Sequence, residues 1–295
     1  MRDRSFLKDW RIGIMAVSLM MTFAHPAQAI TLSLCLRAAL NHVEGKRRTP
    51  ESMARGRRLV QVYLNTGRQF VPLRDIREAE FLAEHLGIRQ MKDFSKLPDS
   101  ERLVRLNEVF AEIVKAPRFV LELIEKSEKS LDLVLDNVTN HPDLAHLKGQ
   151  MSLKHRRPVP WVELPGVSSK TSVVAADSLK QKHGSVNLVL HEHAHTFESA
   201  VSELRREKTT LSQQSDFLLA HRQTKWSDED WYYRTYPEEA LAECFARYFD
   251  SQAERDRLKT DHPEMWTYFR NRFDQNAPAG LRRGEAFVRK DYQVS

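Results

Sequence analysis

The run His191-Glu192-His193-Ala194-His195 fits the pattern His-Glu-x-x-His. On a helix, positions i and i+4 face the same way, so the imidazoles of His191 and His195 can share one metal ion. Glu192 sits beside that face, where a carboxylate can act as a general base on a water. At 100° per residue, Val186, Val189, Leu190, Phe197 and Val201 form one apolar stripe. His193 falls in the middle of it and reads as a buried, hydrogen-bonded core histidine. His191 and His195 fall on the opposite face beside Leu188, a pair with no packing duty.

A catalytic zinc has three protein ligands and one open position, so a third ligand must come from elsewhere. The segment Tyr236-Pro237-Glu238-Glu239-Ala240-Leu241-Ala242-Glu243 supplies candidates. Pro237 suits the first turn of a helix. That helix is apolar nearly all round, so its acids need partners, and a metal or a ligand histidine would serve. Glu239 and Glu243 share one face, flanked by the small Ala242 and Ala246, while Glu238 points toward the Leu241 and Phe245 side. Glu239 is therefore the expected third ligand, and Glu243 is expected behind it, orienting the site. Pairing of these acids with Arg234 and Arg247 is the alternative.

The elements that must hold these groups are legible in outline. Residues 30–150 read as helical, with amphipathic patterns over Met53–Leu64, Leu73–Leu86, Ser100–Val114 and Phe119–Val138. Beyond about residue 150 the texture turns extended. Pro158 to Gly166 is bounded by prolines, Thr171–Ala176 is rich in β-branched residues, and Ser168-Ser169-Lys170 suits a turn between them. These segments predict a short antiparallel sheet, its prolines pointing to an edge. Helices are expected again over 186–205, 211–221, 237–252 and 262–274. The fold class is thus mainly α with a small antiparallel β-sheet, divided into a leader at 1–29, a helical lobe or module at 30–120 and a catalytic domain at 121–295.

The run Tyr232-Tyr233-Arg234-Thr235-Tyr236-Pro237-Glu238-Glu239-Ala240-Leu241-Ala242-Glu243-Cys244-Phe245 resembles the second signature of the anthrax lethal factor-like zinc metallopeptidases, Tyr-x-Arg-Thr-x-x-x-Glu-x-x-Ala-Glu-x-Phe. The 44-residue separation of His195 and Glu239 is similar to that family's, which shares its catalytic domain with the Pro-Pro endopeptidases. Trp161–Ala176 and the tail from Gln252 through Phe269 are similar too, so the resemblance covers about residues 140–275. It implies a zincin-type fold and one zinc per chain, held by His191, His195 and Glu239. It also implies Glu192 as general base, Tyr232 as donor to the oxyanion or leaving group, and Glu243 behind the ligands. Tyr233, adjacent to Tyr232, leaves that assignment open by one residue. His193-Ala194 stands where the family often has Phe-Gly or Met-Gly, off the ligand face. The implied function is an exported zinc endopeptidase acting on protein or peptide substrates. A metal-dead binding protein of the same fold, or a zinc hydrolase of a non-protein amide such as peptidoglycan, are the rival classes.

Composition narrows the field. Only 2 cysteines exclude a four-thiolate zinc module, which agrees with an imidazole and carboxylate site. Cys35 and Cys244 could pair as a disulfide, or Cys244 could be a buried free thiol. A charged leader, the uncharged run Ile12–Ala24 and the small residues Ala27 and Ala29 have the layout of a secretory signal peptide cleaved after Ala29. An uncleaved anchor is the alternative, although about 13 apolar residues fall short of the roughly 20 a spanning helix needs. Removing residues 1–29 leaves 266 residues and lowers the net charge from +6 to +4, because that segment holds four basic and two acidic groups. The basic residues at Lys46-Arg47-Arg48, Arg55 and Arg57-Arg58 are interleaved with Glu and lack a stacking pattern, so nucleic acid is not an expected partner. The expected product is a secreted or periplasmic monomer with no stable membrane insertion.

Overall fold

A computed structural model describes residues 70, 72–127, 129–168, 171–179, 184–206 and 209–275. The leader, the helix expected over Met53–Leu64 and Cys35 lie outside the described residues. Helix α1 (Ile76–His85) opens where the Asp75 side chain accepts from the Arg77 N–H, and it leads into strand β1 (Ile88–Gln90). Helices α2 (Asp99–Ile113) and α3 (Arg118–Ser127) follow, then strand β2 (Leu131–Val134). Strands β3 (Met151–Ser152) and β4 (Val159–Pro160) form a separate two-stranded ribbon. Strands β5 (Gly166–Ser168) and β6 (Ser172–Ala175) then lead to the long helix α4 (Leu188–Arg205). The chain closes with α5 (Ser215–Gln223), α6 (Trp231–Thr235), α7 (Pro237–Asp250), α8 (Gln252–Asp261) and α9 (Pro263–Phe269).

The sheet departs from the expectation in three ways. Its order is β1-β2-β6-β5, and β1, β2 and β6 run parallel; only β5 is antiparallel to its neighbour. The helix expected over Phe119–Val138 ends at Ser127, and its last part is strand β2. Leu131, Asp132, Leu133 and Val134 are all buried. A short run buried on both faces has no alternation to betray a strand, as is usual inside a parallel sheet. The proline-bounded stretch is not the expected strand: it splits into β4 of the separate ribbon and a 3₁₀ turn at Trp161–Glu163, and only its last residue, Gly166, enters the outer strand β5.

One hydrophobic core runs from Leu73 to Phe273 and takes in every long helix. α4 lies at its centre, packed against α3, α7 and β6, and Phe197, Phe245, Phe269 and Phe273 stack where the later helices meet it. Each fully buried phenylalanine contributes about 1.5–3 kcal/mol of burial free energy. Ala242 and Ala246, fully buried on α7, let that helix approach α4 closely. The N-terminus of α4 is fixed by Asn187, whose side-chain oxygen accepts from Leu190 N–H at 3.1 Å while its amide donates to Glu112 of α2 and Asp250 of α7. Residues of the expected N-terminal lobe thus help hold the cap of the central helix. No helix among the described residues is long and apolar enough to cross a membrane.

Candidate active site

Helix α4 carries His191, Glu192 and His195 into a cleft of about 460 Å³. The rings of His191 and His195 meet edge to face at 5.1 Å. Helix α7, started by Pro237, brings Glu239 opposite them in its first turn. Glu239 Oε2 lies 3.2 Å from His191 Nε2 and 3.6 Å from His195 Nε2. The three donor atoms lie within 4.8 Å of one another. Zinc–nitrogen bonds of about 2.0–2.1 Å in a tetrahedron put ligand atoms about 3.3 Å apart, so the two nitrogens and one carboxylate oxygen fit such an ion. Among the described residues this is the cluster suited to a metal.

The electrostatics point the same way. Burial disfavours charge on Glu239, but His191 and His195 outweigh it and hold the carboxyl well below the usual range. Burial likewise opposes charge on His191, yet Glu239 and Glu243 raise it to about 10. These side chains thus make a largely buried, electronegative pocket that favours a positive charge between its members. Glu243 stands behind His191, its Oε2 3.4 Å from His191 Nδ1. Its Oε1 accepts from Arg247 Nε at 3.1 Å and from Val186 N–H at 3.3 Å. The expected pairing with Arg247 and the expected placement behind the ligand therefore coexist. Glu239 instead faces the two histidines and Lys154 Nζ at 3.4 Å.

Glu192 is 5% exposed, lines the same cleft, and has one oxygen, Oε2, with no hydrogen-bond partner. Burial pushes its carboxyl up to about 7. Helix α6 places both tyrosines on the cleft wall. The Tyr233 hydroxyl donates to the Gly184 carbonyl at 3.0 Å, whereas Tyr232 lies against Glu239, and burial followed by that carboxylate raises its phenol well above the ordinary value. Of the two, Tyr232 is the one whose hydroxyl is not committed to a backbone carbonyl.

His193 is buried as expected, but the expected hydrogen bond is absent: neither ring nitrogen has a partner, and burial pushes the ring down to about 4. It packs as a neutral aromatic. Cys244 is fully buried beside Glu243.

Sequence reasoning missed part of the cleft. The loop between β3 and β4 brings Lys154 and His155 over it. Lys154 bridges Glu238 and Glu239 at 3.4 Å each, and the His155 ring stacks on Tyr232 with centroids 5.3 Å apart. The basic run Lys154-His155-Arg156-Arg157 was the available signal. Gly166, at the start of edge strand β5, lies directly against Glu192. A glycine in a strand is a recognised mark of close approach.

Two helices, one presenting His-Glu-x-x-His and the other a facing glutamate, thus bring together three side chains suited to holding a metal ion. The family model described as anthrax toxin lethal factor, N- and C-terminal domain, matches residues 88–272, and the chain belongs to that family. It is related to the Pro-Pro endopeptidases. That of Paenibacillus alvei is 28% identical over 162 residues, covering 54% of this chain and 73% of the relative. That of Clostridioides difficile is 25% identical over 154 residues, covering 51% and 68%. The solved structure of the P. alvei enzyme PPEP-2 gives a TM-score of 0.49 at 24% identity, over 62% of this chain and 95% of that one.

Proposed function

We propose that this chain is an exported zinc-dependent endopeptidase. The observation that carries the reading is the convergence of His191, His195 and Glu239 around one point, with Glu192 and Tyr232 on the same cleft wall. The two relatives' names support a peptide substrate. His191, His195 and Glu239 would hold the ion. When bound, zinc lowers the pKa of a water to about 7 and polarises a carbonyl. Glu192 takes the proton of the attacking water and hands it to the leaving amine, a step its buried, half-unpartnered carboxylate suits. The Tyr232 hydroxyl donates to the oxygen that becomes negative in the transition state. Glu243 holds the His191 ring so that Nε2 faces the ligand point. Strand β5, at the edge of the sheet, lines the cleft and offers main-chain pairing to an extended peptide. Residues 73–120 act as a lobe of this unit, since they share its core and grip the cap of α4.

The test is metal analysis of the purified chain together with a peptide library that includes proline-rich sequences. We expect one zinc per chain, cleavage that a chelator abolishes, and a Glu192→Gln variant that keeps zinc but loses about 10²–10⁴-fold in rate. A chain that binds no stoichiometric zinc, or a fully active Glu192→Gln, would refute the reading.

A further inference from the structure

Gly166 has no backbone reason to be a glycine. The described glycines with positive φ are Gly87 and Gly149, and Gly166 is not among them. It sits in regular strand β5, paired with Val174 of β6, a position any β-former adopts. What distinguishes it is its neighbour. A Cβ at Gly166 would lie 2.4 Å from Glu192 Oε1 and 2.9 Å from both Cδ and Cγ of that side chain. Nothing lies within 4 Å of a Cβ at Gly149 or Gly184. The three nearest atoms at Gly166 all belong to one side chain, and that side chain is the one with an unpartnered buried oxygen in the cleft.

We propose that Gly166 is a positioning residue: its missing side chain creates the space in which the Glu192 carboxylate stands against the edge strand. This rests on the endopeptidase reading for its consequence in rate, but not for its geometry. A methyl group there would meet Glu192 from its carboxylate back to Cγ rather than backbone, so a rotation of that one side chain has to absorb it. The carboxylate cannot stay where it is. Moving from 2.4 Å to the 3.4–4 Å of ordinary contact displaces it by about 1 Å, a misplacement that can cost about 10²-fold in rate. None of the three atoms nearest to that Cβ belongs to His191, His195 or Glu239, so these side chains should keep their positions.

The experiment is Gly166→Ala in the full chain. We expect unchanged zinc stoichiometry and thermal unfolding, a kcat about 10–100-fold lower on whichever peptide the parent cleaves, and a KM close to the parent's. A crystal structure of the variant should show the Glu192 carboxylate displaced with the three ligand side chains in place. In a Glu192→Ala background, which removes all three contested atoms, the alanine at 166 should cost nothing further in residual rate. Full kcat in Gly166→Ala, an unmoved Glu192 in its crystal structure, or loss of folding or of zinc would each overturn the proposal. If the parent chain cleaves no peptide, the function above fails, while the crystal structure still decides the role of Gly166.

Discussion

Two regions of this molecule bury a carboxylate beside a histidine, and they solve the problem in opposite ways. Asp132 on β2 is fully buried and its two oxygens are saturated. Arg89 donates from Nε at 2.7 Å and Nη2 at 2.6 Å, Ser130 from its hydroxyl at 2.7 Å, and Thr171 from its hydroxyl at 3.2 Å, with His141 Nε2 at 2.9 Å. Every group converges on the carboxylate. Around Glu239 the convergence is on a point between side chains: two imidazole nitrogens and a carboxylate oxygen face one another, and the neighbouring Glu192 keeps a bare oxygen. Donors closed on one carboxylate tie segments together, whereas two imidazole nitrogens and a carboxylate oxygen facing one point suit an ion between them. Burial and charge alone do not separate the two; the direction in which the polar atoms point does.

The largest effect separating them should come from His195→Ala. It removes one imidazole of the proposed metal site, and on the endopeptidase reading we expect loss of stoichiometric zinc and of measurable peptidase activity. In metal-free protein the same change deletes a buried ring and one of the two imidazoles that hold Glu239 charged, so we expect a loss of about 1–3 kcal/mol without unfolding. Metal analysis and urea unfolding of the metal-free chain measure both. A metal-free variant that unfolds outright would erase the distinction, because the site would then be holding the fold together as Asp132 does.

Asp132→Asn is the mirror experiment. The amide cannot accept from all five donors, and the variant should lose about 1–3 kcal/mol. Zinc content and kcat should stay at the parent's values, because Asp132 lies on the β1–β2 side of the sheet and does not line the cleft. Loss of zinc in this variant would show that the two clusters communicate.

The same contrast explains what could be read from the chain before its fold was known. His191, His195 and Glu239 stand on two helices, and local periodicity reports which residues share a helical face. The Asp132 cluster draws on Arg89, Ser130, His141 and Thr171, from four separated segments, so no local pattern announces it. Its strand, Leu131–Val134, was itself hidden, since an all-buried parallel strand lacks alternation. Gly166 was visible only as the end of a proline-bounded stretch. Its meaning depends on Glu192 across the cleft, a contact fixed by tertiary packing. His193 shows the converse limit: its burial followed from the stripe, but its lack of a hydrogen bond could not.

Ser130→Ala should give the smallest effect and the finest test. It deletes one of the five contacts without leaving the carboxylate unpaired, at about 0.5–1.5 kcal/mol. It also bears on acid stability. Burial favours the neutral form of Asp132, but Arg89, Ser130 and His141 outweigh it and hold the carboxyl below its ordinary value. The folded value is thus below the unfolded one of about 3.9. The stabilisation is complete above that pH and disappears as pH falls through the folded value. Removing the Ser130 hydroxyl raises the folded value toward the unfolded one, so less stability is left to lose on acidification. Urea midpoints measured from pH 6 down to pH 3 should fall less steeply in Ser130→Ala than in the parent, and less steeply still in Asp132→Asn. Identical acid slopes in all three chains would mean that Asp132 is held no more tightly in the fold than in the unfolded chain, and the saturated cluster would lose its claim to a structural role.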